Sequence, residues 1–270
     1  MNRLQIRSAA PAASLSGERF TSRLATVDSE VGYLPCSVFT PLHYESGYAY
    51  PLIVWLHDDN EDEQSIRRML PKISMRNYLG VGVRGTRLVT DGDPFAGDEF
   101  ATDEFGSETD GYSWCQTLDH TFLAEHRVLE AVELMSERFN VCPDRVFLAG
   151  RGSGGTMAFR IAMRQPDRFA GVISLGGGFP QDDAPLARLV EARRVPVFVA
   201  AASDDEAYPS SDCCDDLRLL HAAGMSVTLR YYPQKHRYLG QILGDVDRWI
   251  MELIAASGQM SVVPSEQSGS

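Results

Sequence analysis

Long apolar runs are missing from this chain of 270 residues. No stretch approaches the ~18 consecutive apolar residues that a membrane-crossing helix needs, so no membrane span is expected. The opening MNRLQIRSAAPAASLSGERF lacks the apolar core of a secretory signal, and the chain reads as cytoplasmic. Basic charge is also short, with 25 Lys and Arg against 37 Asp and Glu and a net charge of −12. Such a surface repels nucleic acid and anionic membrane alike, which argues against both as partners. The five cysteines, Cys36, Cys115, Cys142, Cys213 and Cys214, are odd in number and lack metal-type spacing. Free thiols in a reducing compartment are the expectation, and nothing in the pattern asks for a metal or another cofactor.

What is present is ordinary for a globular protein, at 44% hydrophobic and 23% charged, and the length suffices for one large α/β domain. We expect a flexible segment at 1–20, a single domain at 21–256 and a small, polar, flexible tail at 257–270. Strand patterns fall at 34–40, 52–56, 79–83, 146–149, 171–175, 195–201 and 227–232. Most are continuous apolar runs, as strands covered on both faces are. Helical patterns at 61–70, 119–139, 153–165, 184–193, 211–223 and 240–256 alternate with them. That alternation predicts a mostly parallel, doubly wound sheet flanked by helices on both faces.

One stretch breaks the rhythm. Residues 91–110, DGDPFAGDEFATDEFGSETD, carry eight acids and no base, with Phe95, Phe100 and Phe105 between them. A solvated acidic insertion explains this, as does a lid or a surface for a protein partner. The ligand spacing of an EF-hand calcium loop is absent.

The chemistry-bearing feature is the glycine-rich turn Gly150-Arg151-Gly152-Ser153-Gly154-Gly155, placed between the strand pattern RVFLA and the helix pattern TMAFRIA. Gly150, Gly152 and Gly155 match the G-x-G-x-x-G of dinucleotide-binding turns. The unit lies past the middle of the chain, however, and the next strand ends in GGG without a ribose-binding carboxylate. The other device at such a junction is the nucleophile elbow, G-x-S-x-G. Its flanking glycines let strand and helix pack closely. An apex at 152 has Gly150 and Gly154 as flanks; an apex at Ser153 would put Arg151 where no side chain fits. The turn therefore selects Gly152 as apex, with the serine one residue late. One residue in a first helical turn rotates a side chain by about 100°, which should aim Ser153 away from a catalytic base.

The stretch FLAGRGSGGTMAFRIAMRQPDRFAGVISLGGGFP, with PLIVWLH at 51–57, GYSW at 111–114, VPVFVAAASDDEAYP at 195–209 and LRYYPQKH at 229–236, resembles the phospholipase/carboxylesterase group of α/β hydrolases, which includes acyl-protein thioesterases. The likeness runs from about residue 50 to residue 249. It implies the α/β-hydrolase fold, an acyl ester or related small molecule as substrate, and a triad in the order nucleophile, acid, histidine. It places the acid at Asp205, with Pro209 four residues on, and the base at His236; as a turn-capping carboxylate and a surface-loop histidine they would need no such role.

Two departures follow. Gly152 stands at the nucleophile position and has no oxygen to attack an acyl carbon. The oxyanion loop, His-Gly-x-Gly in the family, here reads His57-Asp58-Asp59-Asn60, which puts carboxylates where negative charge must develop. The expectation is a hydrolase fold with lost or strongly impaired ester hydrolysis, and with a ligand- or partner-binding role. The alternative is an active carboxylic-ester or thioester hydrolase that uses Ser153, or Asp58 or Asp59, with His236 and Asp205.

Overall fold

The computed structural model describes residues 34–89, 111–235 and 237–260. The expected 1–20 segment, the acidic stretch 91–110 and most of the 257–270 tail lie outside the described residues, as does His236.

Seven strands form one sheet: β1 (Cys36–Phe39), β2 (Tyr50–Leu56), β3 (Leu79–Val83), β6 (Val141–Arg151), β7 (Gly171–Leu175), β8 (Val197–Ala202) and β9 (Val227–Tyr232). Their order is β1-β3-β2-β6-β7-β8-β9. β1 runs antiparallel to β3 and every other pair is parallel. All residues of β2, β3, β7 and β8 are buried, which is why these segments read as unbroken apolar runs. A separate two-stranded ladder joins β4 (Arg87–Leu88) to β5 (Tyr112–Ser113). Two residues per strand are too few to leave a period in the sequence.

Helices cover both faces. α1 (Ile66–Ile73) and α6 (Leu239–Met260) share one core with Ile53, Trp55, Phe147 and Phe198. α2 (Leu118–Arg138), α3 (Ser153–Arg164) and α5 (Ser210–Ala222) close the other, over Leu52, Val54, Leu148 and Val172. The alternation of Ile53 and Trp55 with Leu52 and Val54 is the strand period of two, dividing β2 between the two cores.

The strand expected at 146–149 extends over Val141–Arg151, and three expected helices differ. The helix expected at 184–193 shrinks to α4 (Leu189–Ala192), because Asp183 and Ala184 have φ of 56° and 47°, left-handed values that no α-helix accommodates. The helix expected at 61–70 divides into a 3-10 turn (Glu63–Ser65) and α1, where the Asp62 side chain caps Gln64 N–H. The last helix runs to Met260, beyond the expected end at 256.

The strand order places the site. From β2 the chain goes to β3 on one side and then crosses back to β6 on the other, so direction reverses between β2 and β6. In a parallel sheet the crevice at the carboxyl ends of two such strands is the natural ligand position. Leu56, at the end of β2, pairs with Gly150 of β6. The segment after the one is His57-Asp58-Asp59-Asn60, and after the other comes Gly152.

Candidate active site

Gly152 joins β6 to α3 with φ 52° and ψ −124°, a conformation that side-chain-bearing residues adopt only under strain. Its neighbours pack as tightly as the turn requires. A Cβ at Gly150 would lie 2.7 Å from Gly155 N, and one at Gly154 would lie 2.8 Å from the carbonyl carbon of Leu56. Both obstacles are backbone, so neither yields.

The β2 loop meets this turn through its side chains. His57 is fully buried. Its Nε2 accepts the Gly85 N–H at 2.8 Å and its Nδ1 lies 2.6 Å from Asp58 O, so the proton is on Nδ1, which donates. Burial pushes its pKa down, and the ring is a neutral brace for the loop. Trp114, from the GYSW segment, donates its Nε1–H to His57 O at 3.0 Å and fixes the same loop from the other side.

Asp58 takes the space above Gly152. A Cβ built on Gly152 would lie 2.6 Å from Asp58 Cγ and 3.0 Å from Oδ2, and closer still to Oδ1. The carboxylate is held there: Oδ1 accepts the Asp59 N–H at 2.9 Å, and Arg151 Nε lies 3.3 Å from Oδ2. The Asp58 N–H in turn donates to Glu61 Oε2 at 3.3 Å, and Glu61 Oε1 lies 3.6 Å from Arg151 Nη1. Both backbone N–H groups of this loop segment therefore end on carboxylates.

Ser153 opens α3, and its Oγ donates to Asp59 Oδ1 at 2.7 Å. Burial raises the Asp59 pKa, and the bond from Ser153 offsets only part of that rise. Beneath the turn, Gln116 Nε2 donates to Ser153 O at 3.1 Å and to Trp114 O at 2.9 Å, while its Oε1 accepts from Arg160 Nε at 3.0 Å. Arg160 is buried and ion-paired with Asp182. Sequence reasoning missed Gln116, Arg160 and Glu61. The only signal was a buried arginine position inside the apolar run of α3, which does not reveal its partners.

Asp205 follows β8 and is buried, and its Oδ2 is ion-paired with Lys235 Nζ at 2.9 Å. Gly176, with φ 73°, makes room for the pair: a Cβ there would lie 2.7 Å from Asp205 Oδ2 and 3.2 Å from Lys235 Nζ. Asp205, Lys235 and Arg151 line one cavity at the strand ends. The structure thus gathers Gly152, Ser153, Asp58 and Asp59 into one contact group and sets Asp205 across a cavity from Arg151. Among the described residues, no group of three His, Cys, Asp or Glu is arranged to hold a metal ion, and no helix is long and apolar enough to cross a membrane.

A mostly parallel sheet wrapped by helices, with a glycine-flanked strand-to-helix turn at the reversal of strand order, defines an α/β-hydrolase fold. The chain belongs to the dienelactone hydrolase family, whose profile matches residues 95–241. Among solved structures, the Bacillus cereus carboxylesterase is 13% identical with a TM-score of 0.61, over 82% of this chain and 94% of that one. SOBER1 of Arabidopsis thaliana is 17% identical with a TM-score of 0.60, over 76% of this chain and 100% of that one. At these identities the likeness is one of fold. A protein designated esterase NocK, from Nocardia uniformis subsp. tsuyamanensis, is 35% identical over 78 residues, 29% of this chain; the match spans only 22% of NocK.

Proposed function

We propose that this protein keeps the hydrolase fold of its family with ester hydrolysis lost or strongly impaired, and that its site serves to bind a ligand. On this reading Gly152 is the nucleophile position, Asp205 the acid position, His236 the base position, and the segment at Asp58 and Asp59 the oxyanion region. The observation that carries it is the Asp58 carboxylate in the volume of the missing side chain. No oxygen is available at Gly152 to attack an acyl carbon. The loop N–H groups that would stabilise an oxyanion are engaged by Asp58 and Glu61. Losing one such donor costs roughly 3–4 kcal/mol of transition-state stabilisation, and a carboxylate beside the developing charge adds to that cost.

A second reading has one observation in its favour. The Ser153 hydroxyl is hydrogen-bonded to Asp59, whose carboxyl pKa burial raises, so Asp59 is a stronger base than an ordinary aspartate. In that reading Ser153 is a displaced nucleophile of a carboxylic-ester or thioester hydrolase, the first of these being the activity in the name of the Bacillus cereus neighbour.

Hydrolysis of p-nitrophenyl acetate by the wild type and by Ser153→Ala separates the two. The expected result is no turnover above buffer for either protein and no labelling of the wild type by a fluorophosphonate. Wild-type turnover that disappears in Ser153→Ala would establish the second reading and sink the first.

A further inference from the structure

β9 is the last strand of the seven-stranded sheet, and no described strand pairs with its outer side. An unpaired edge is ordinarily blunted by a very short strand, a lysine, a proline or a bulge. β9 has none of these. It is six residues long, VTLRYY, with no lysine and no proline, and its register against β8 runs unbroken from Val227 to Tyr232. Arg230 is its one charge, and Tyr231 stands 48% exposed.

The bonds to β8 fix which groups this edge offers. Val197 N–H donates to Ser226 O at 2.9 Å, and Ser203 N–H donates to Tyr232 O at 3.0 Å. The peptide groups of alternate residues face opposite sides of a strand, so Thr228 and Arg230 face β8 as Ser226 and Tyr232 do. The N–H and C=O groups of Val227, Leu229 and Tyr231 therefore point away from the sheet. Pro233 comes next and has no N–H, which ends the outward row.

This row is complementary to itself. Two β9 strands can lie antiparallel with Leu229 on a two-fold axis. Leu229 then exchanges N–H···O bonds with the partner's Leu229, and Val227 does so with the partner's Tyr231. The side-chain pairs are favourable as well. Val227 meets an aromatic ring, a β-branched–aromatic pair, and Arg230 faces threonine instead of a like charge. Other registers fail. A shift by one residue sets outward peptide groups against inward ones. A shift by two either brings Arg230 against its own copy or carries Tyr231 off the strand, opposite Met225.

We propose that β9 is a dimerisation edge, at which two copies of this chain join antiparallel about Leu229 and continue one sheet through both. Such an isologous contact closes at two copies and leaves no β9 edge open.

Sedimentation equilibrium of the full chain tests this, together with two variants. The wild type should show a concentration-dependent monomer–dimer equilibrium. Tyr231→Lys should raise its dissociation constant by about tenfold, because the two-fold axis counts each lost pair twice. The register itself is read by Thr228→Cys/Arg230→Cys. Residues 228 and 230 would face one another as a non-hydrogen-bonded pair, with Cα atoms about 4.5 Å apart, within disulfide range. Mild oxidation should cross-link this variant into a covalent dimer beyond the background from the wild type, whose Cys214 is exposed. The wild-type mass and the cross-link decide the matter should Tyr231→Lys fail to fold. A wild type that stays monomeric to its solubility limit, its edge left to the strand of some other protein, would overturn the proposal. So would a dimer that the cysteine pair does not cross-link or that a folded Tyr231→Lys leaves unchanged.

Discussion

Placing a serine at position 152 tests whether Asp58 and the turn exclude one another. Gly152→Ser puts a side chain at φ 52°, a strain of about 1–3 kcal/mol. Its Cβ would lie 2.6 Å from Asp58 Cγ, so the carboxylate must leave. That move forfeits the Asp59 N–H bond, about 1 kcal/mol, and the partly exposed contact with Arg151, about 0–1 kcal/mol once solvent screening is allowed for. The single variant should therefore lose roughly 2–5 kcal/mol. Asp58→Gly forfeits the same two contacts without the strain. In Asp58→Gly/Gly152→Ser those contacts are lost once, not twice, and the overlap is gone. A urea-unfolding double-mutant cycle should then show the double variant more stable than additivity predicts, by at least about 1 kcal/mol. Fluorophosphonate labelling reads out the same geometry, and only the double variant frees both the serine and the loop N–H of residue 59. Additivity within about 0.5 kcal/mol would refute the reasoning, since it would mean that Asp58 stands clear of position 152.

Other consequences follow from the same contacts. Arg84 holds the buried Glu63 through bonds of 2.7 and 2.6 Å; Arg84→Met should lower stability by about 2–4 kcal/mol, allowing for the exposed side of Arg84, as read by urea midpoint. Burial pushes the Glu63 pKa up, but the Arg84 hydrogen bonds, a backbone hydrogen bond and the nearby positive charge together more than offset this and hold it below the usual range. That stability is present above the ordinary carboxylate pKa and fades as pH falls through the lowered one; Arg84→Met should move acid unfolding to higher pH. Asp216 behaves in the opposite sense. Its burial outweighs the bonds from Phe179 N–H, Tyr208 and Gln181 and raises its pKa. Protonation therefore favours the folded state below the ordinary carboxylate pKa, and that contribution disappears as pH rises through the raised one. The urea midpoint of the wild type should gain on that of Asp216→Asn as pH is lowered from neutrality; a gap independent of pH would count against this. Gly154→Ala drives a methyl group against the backbone of Leu56 and should cost about 1–3 kcal/mol, visible as a lower thermal midpoint.

The sheet was legible because burial on both faces writes itself as apolar runs: the patterns at 79–83 and 171–175 coincide with β3 and β7. The turn was legible because only glycine fits at Gly150 and Gly154, a constraint visible in residue identity alone. Other features had no local signature. The helix pattern at 184–193 is amphipathic, yet the left-handed backbone at Asp183 and Ala184 overrides it. Sequence read Asp58 as a charge near the oxyanion region; that its carboxylate fills the volume beside Gly152 depends on the register of β2 against β6. Lys235 went unnoticed because its partner Asp205 is 30 positions away and joined only by the pairing of β8 with β9.

The three residues at the apex constrain one another. The Arg151 side chain is only 14% exposed, and without Asp58 its remaining anion is Glu61 at 3.6 Å. Removing Asp58 would leave this cation the Glu61 carboxylate alone, at a cost of about 0–1 kcal/mol. Asp58 in that position leaves no room for a Cβ at residue 152. A positive φ at residue 152 disfavours any side chain there even with room. Placing a serine at the apex therefore takes two coordinated changes, one at 152 and one at 58, and leaves Arg151 with one carboxylate fewer. In this arrangement the turn is tied by ion pairs that run from Asp58 through Arg151 to Glu61.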